Sequence, residues 1–238
     1  MGETAKESAQ PSAPGRLPLY QDSLVKIRIE SVGCEYTVSK ELLCSQSPVF
    51  TAMFEGGFRE AQQQTVDLEE MEDVVSKQSL EALFQWLYLG FIGFGIHYDP
   101  GERIEAAIEL ARLADKYDIT RLESQTAQYI KETIIANQLP ADSQEWVPLD
   151  SNTHLLGEED IISATLLRDG HPVRHLLAAA SVRGYLQSEK HELAKTARET
   201  PKFAADLLHE VRLALNGVKA GPIFTDPIDG EKYYLANL

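Results

Sequence analysis

The stretch Cys34–Phe54, CEYTVSKELLCSQSPVFTAMF, passes from a strand pattern to a helix pattern and then starts a second helix. Cys34, Tyr36 and Val38 fall on one side of an extended chain and Glu35 and Thr37 on the other, the period of two that marks a half-exposed strand. At Ser39 the alternation stops, and its hydroxyl can cap a short helix carrying Leu42, Leu43 and Cys44. Ser47-Pro48 repeats the device, with a capping hydroxyl before a proline at the first helical position. The second helix then sets Phe50, Met53 and Phe54 on one side.

Upstream, order is expected from Asp22. In LVKIRIE (24–30), Val25, Ile27 and Ile29 face one way and Lys26, Arg28 and Glu30 the other. The turn Ser31-Val32-Gly33 joins this strand to the next as a hairpin with an apolar inner face. Residues 1–19, rich in Pro, Ser, Ala and Glu, read as a disordered tail.

Downstream, Gly56-Gly57 stops the second helix, and Thr65-Val66-Asp67-Leu68 offers a third short strand before the acidic loop Glu69–Asp73. Helical periodicity returns over Ser79–Leu89. After the turn signature Asp99-Pro100-Gly101, Ile104, Ile108, Ala111 and Ala114 form one apolar stripe. Thr120 and Glu123 have capping-box spacing and open a further helix through Ile134. The pattern fails between Asn137 and Gly157. Helical runs then cover Ile161–Leu167, Pro172–Leu186, Glu192–Ala197 and Pro201–Leu215. The division expected is a disordered tail (1–19), a mixed domain (20–136), a linker (137–157), a helical extension (158–217) and an extended C-terminal tail (218–238).

The formal charge is -15, from 22 Lys and Arg against 37 Asp and Glu, which disfavours direct contact with nucleic acid or an anionic membrane. Two cysteines are too few for a disulfide scaffold and suit a reducing compartment, so a cytoplasmic or nuclear location is expected. No apolar h-region of a signal peptide is visible, and position six lacks the Ser or Thr of a myristoylation signal. Ala82–Ile96 is uncharged but too short to span a bilayer.

Little here supports catalysis. His171 and His175 have a ligand-like i, i+4 spacing, but no third ligand is close in sequence, so neither metal nor cofactor is expected. Cys34 and Cys44 fall on apolar faces without a neighbouring histidine, and there is no GxSxG, P-loop or GxGxxG. An interaction module is therefore the first reading and an enzyme the remote one, with His171, His175 and Glu158 or Glu159 as its candidate cluster.

The order and spacing of Asp22-Ser23-Leu24-Val25, Tyr36 to Phe50, Met53-Phe54, Phe58-Arg59-Glu60, Val66-Asp67-Leu68, Phe84 to Gly90, Leu113 to Ile119 and Leu122 resemble a BTB/POZ domain. Where that family usually has His before the first short helix, this chain has Ser39, which keeps the capping chemistry. Gly170-His171-Pro172-Val173-Arg174 and Thr200 to Leu208 resemble the helical extension of short fungal-type BTB proteins. The fold class implied is α+β, a small three-stranded sheet capped by helices, followed by an all-helical C-terminal segment.

The resemblance also implies protein partners. Asp22 and Lys40 match the family's charged pocket near the dimer interface. A homodimer would have a reduced interface, because no extra N-terminal strand is visible to swap. Phe58-Arg59-Glu60 matches the hydrophobic-x-Glu motif of members that recruit cullin-3, with Met53 and Phe54 as core or interface. The alternatives are a cullin-3 substrate adaptor in a ubiquitin ligase complex and a dimeric scaffold or transcriptional co-regulator that binds no cullin.

Overall fold

In β1 (Leu24–Ile29) exposed and buried residues alternate without a break, and Val25, Ile27 and Ile29 are fully buried. The strand pairs antiparallel with β2 (Cys34–Ser39), from Ile29 opposite Cys34 to Leu24 opposite Ser39. On its other side it pairs parallel with β3 (Thr65–Asp67), giving the order β2-β1-β3. A parallel pair needs a crossover. Three short helices supply it: α1 (Lys40–Gln46), α2 (Pro48–Glu55) and α3 (Arg59–Gln63). The computed structural model describes residues 23–29, 33–68, 76–95, 97–139, 150–216 and 223–234.

The two serines act as their positions predict. Ser39 Oγ accepts from the Leu42 N–H at 3.3 Å, and Ser47 Oγ accepts from the Phe50 N–H at 3.0 Å. Buried Ser47 also donates to the Tyr117 carbonyl, while the Phe50 ring stacks on Tyr117 with centroids 4.6 Å apart. These contacts tie the start of α2 to the end of α5 (Pro100–Lys116), which follows α4 (Lys77–Leu89). Gly90 ends α4 at φ +77, a left-handed conformation that glycine adopts without a Cβ penalty.

The capping box expected at Thr120 does not form. Buried Ile119 occupies the cap position of α6 (Thr120–Ala136), with no side-chain hydrogen bond there. Glu123 instead lies buried and accepts from Arg168 at 2.5 Å. Burying Ile119 outweighed a surface cap, and Glu123 was taken by a partner distant in sequence.

The stripe on α5 also divides. Leu110, Leu113 and Ala114 join Val25, Ile27, Phe50, Leu83 and Leu122 in a core beneath the sheet. Ile104, Ala107, Ile108 and Ala111 face the other way, and with Ile130 and Ile134 of α6 they enter a second core. The rest of that core includes Leu156, Ile161, Leu167, Leu177 and Phe203. The helices that bring these residues are α7 (Glu158–Ala164), α8 (Pro172–Gln187), α9 (Leu193–Glu199) and α10 (Pro201–Asn216). The C-terminal helices thus complete the packing of α5 and α6.

Charged contacts reinforce this junction. Arg168 reaches Asp115 and Glu123 of α5 and α6 across it, while within the C-terminal helices buried Arg174 of α8 grips Asp206 of α10 through Nε and Nη2 at 2.8 and 3.1 Å. The segment expected as an extended tail instead contains a hairpin of β4 (Ile223–Thr225) and β5 (Lys232–Tyr234). Buried Phe224 and Ile228 anchor it, Gly230 turns it at φ +79, and Arg183 of α8 lies over the Tyr233 ring. Among the described residues, no helix is long and apolar enough to cross a membrane.

Candidate interaction surface

Phe58 sits where α2 gives way to α3. The Gly56 N–H closes α2 on the Ala52 carbonyl at 3.0 Å. A Cβ at Gly56 would lie 2.3 Å from that carbonyl oxygen and 3.1 Å from the Phe58 ring, so only glycine lets the ring approach the turn this closely. Phe58 takes the cap position of α3 and stays 59% exposed. Glu60 follows in the first turn of the same helix, half-buried, and Arg59 donates to Gln63 across the next turn at 3.1 Å. After α3, the Gln64 carbonyl accepts from the Lys26 N–H of β1 at 2.9 Å, fixing this short helix to the sheet.

The other candidates separate by burial. Phe54 is 1% exposed and packs with Phe50, which places it in the core and removes it as a surface contact. Met53 is half-buried against the same core. Lys40 donates through Nζ to the Phe54 carbonyl at 3.0 Å, placing a cation at the C-terminal end of α2, where the helix dipole favours it. Asp22 lies outside the described residues.

The cluster considered for an enzyme does not assemble. His171 is fully buried, and its Nδ1 accepts from the Val173 N–H at 3.1 Å as the cap of α8. Burial first, then the charges of Arg168 and Arg174, pushes its pKa down to about 4, so the ring is neutral at pH 7. Glu158 and Glu159 line clefts beside Glu105 with no histidine in their walls. In those clefts burial, more than the neighbouring Glu105 and Glu159, pushes Asp160 up to about 6 against a bond from the Gly157 N–H. Cys44, half-buried, has its thiol pushed up by desolvation, the opposite of what activates a nucleophile.

His175 points elsewhere, to Glu210 and His209 on α10. That grouping escaped local spacing rules because its members lie on two helices, and a glutamate adjacent in sequence to His209 is too common a pair to notice. A further interaction-sized feature is the apolar groove between α8, α9 and α10, of about 640 Å³, bordered by Tyr185, Leu207 and Leu208. Comparison with protein families adds one finding: the family model of the BTB/POZ domain matches residues 19–134.

Proposed function

Residues 19–134 are a BTB/POZ domain, and from that premise we propose that the chain is an adaptor that docks on cullin-3 through Phe58 and Glu60. Domains of this family mediate contacts between proteins, which is the general role assigned here. The observation that carries the finer reading is the exposure of Phe58 beside Glu60 on a helix pinned to the sheet. An exposed aromatic on a rigid base can fill a partner's pocket with little loss of side-chain freedom, and burying it is worth about 1.5–3 kcal/mol. The carboxylate two residues on can pair with a basic group on the cullin and set the register. In this reading the chain brings a client to a ubiquitin ligase and transfers nothing itself.

A second reading, a dimeric scaffold or transcriptional co-regulator without cullin, is supported by Leu24, 59% exposed at the start of β1. One experiment separates the two. Light scattering during size-exclusion chromatography is run on the protein alone, on its mixture with the N-terminal half of cullin-3, and on a Phe58→Ala, Glu60→Ala double variant. The adaptor reading expects a mass increase that the variant loses. Absence of a complex at tens of micromolar, where a binding energy of about 6–7 kcal/mol suffices, would overturn it. The mass of the protein alone then tells dimer from monomer.

A further inference from the structure

Where α8 crosses α10, His175, His209 and Glu210 bring their ligating atoms within 4.8 Å of one another. His175 Nδ1 lies 3.1 Å from Glu210 Oε1, and the rings of His175 and His209 meet edge to face with centroids 5.7 Å apart. A tetrahedral ion with bonds of about 2.0–2.2 Å holds its ligand atoms roughly 3.3–3.5 Å apart. The His175 to Glu210 spacing is already close to this, and the remaining closure falls to His209, which is exposed.

The charge pattern supports a cation. The Glu210 side chain is only 12% exposed, and the hydrogen-bond partner found for it is the His175 ring, itself 37% exposed. The nearest rung of the same helix pair is Arg174 with Asp206, one turn earlier on α10. There the guanidinium is already engaged by Asp206, by Asp169 and by the Leu167 carbonyl. A withdrawn carboxylate facing two imidazoles is a donor set suited to zinc-like ions, not to calcium or magnesium, which favour all-oxygen sites.

We propose that His175, His209 and Glu210 form a binding site for a divalent transition cation of the zinc type that staples α8 to α10. The ion takes the place between Nδ1 and Oε1 now bridged by a hydrogen bond, and the neutral His175 ring carries its proton on Nε2. Three protein ligands leave one position for water. The site lies in the C-terminal helices and does not depend on the adaptor reading.

The test is calorimetric titration of the untagged full chain with zinc chloride, with cobalt chloride as a spectroscopic probe. One ion per chain is expected, with a visible cobalt absorption of tetrahedral intensity. His209→Ala, at an exposed position, leaves the fold intact by circular dichroism and should weaken zinc binding by about tenfold or more. Glu210→Gln should do the same. Zinc at about a hundred times its dissociation constant should raise the Tm by about 5–10 °C in the parent chain and not in His209→Ala. Equal zinc affinity in parent and His209→Ala, or a cobalt spectrum of octahedral type, would overturn the proposal and leave scattered surface histidines as the source of any binding.

Discussion

Replacing Gly184 by alanine reverses the usual expectation for a glycine inside a helix. Alanine is favoured over glycine at such positions by about 1 kcal/mol, so propensity alone predicts a more stable protein. Gly184, however, is buried in α8 against the side chains of His191 and Asp150, each 5% exposed. An added Cβ would fall 2.2 Å from Cδ2 and Nε2 of His191 and 2.6 Å from Asp150 Oδ2. Neither group can yield freely. Thr153 Oγ1 lies 3.1 Å from His191 Nε2 and 3.3 Å from Asp150 Oδ2, and that carboxylate also accepts from the Gly184 N–H at 3.1 Å. Overpacking of this kind costs about 1–3 kcal/mol, and a buried polar group deprived of its partner about 1–3 kcal/mol more. After the helix gain is subtracted, Gly184→Ala should lose about 1–5 kcal/mol, with the Tm falling by about 2–4 °C for each. Urea and thermal unfolding followed by circular dichroism measure this. Adding His191→Ala removes the ring that clashes, so the double variant should be more stable than the two single losses added together. A neutral or stabilising Gly184→Ala, or strict additivity with His191→Ala, would refute the steric argument.

Two further outcomes follow from the packing. A fragment ending at Ala136 would expose Ile104, Ile108, Ile130 and Ile134, each worth about 1.5–3 kcal/mol when buried; it should bind a hydrophobic dye or aggregate, and a monodisperse fragment with a cooperative melt would contradict the shared core. His171→Asn keeps a capping acceptor but removes a ring whose pKa is pushed down to about 4 in the folded chain. Between about pH 4 and 6.5 the unfolded ring binds the proton and the folded one does not, so this residue's contribution is present above that window and is lost as the pH falls through it. The advantage of the parent over His171→Asn, read from urea midpoints, should therefore shrink from pH 7.5 to pH 5, and a constant difference would show that the ring does not titrate in this way.

What could be read in advance was local. The alternation Val25, Ile27, Ile29 against Lys26 and Arg28 is a period-two signal that burial reproduces residue by residue. Ser39 and Ser47 carry their role in their own chemistry, because a cap needs only a hydroxyl and a nearby N–H. Thr120 and Glu123 had the right spacing and still formed no box, since spacing says nothing about Arg168 reaching in to claim the glutamate. The two sides of α5 were hidden for a related reason. Apolar periodicity along α5 marks which residues are buried but not against what, and Ile108 and Leu113 are separated into different cores only by the partners that arrive from elsewhere in the chain. At the candidate surface, Phe58 could be recognised as part of a motif, but its exposure depends on the turn at Gly56. Phe54, four residues earlier, belongs to the interior because α2 turns it toward Phe50.

The sharing of α5 and α6 between the two cores has a geometric consequence. Two bodies joined by a tether can swing, and the span between their outer surfaces then varies with every fluctuation. Here Leu110 and Leu113 point into one body while Ile104 and Ile108 of the same helix point into the other, so a swing would have to break the helix or empty a core. The distance from Phe58 to the groove beside Leu208 is accordingly a property of the fold, and anything held at one end is presented at a set separation and angle from the other.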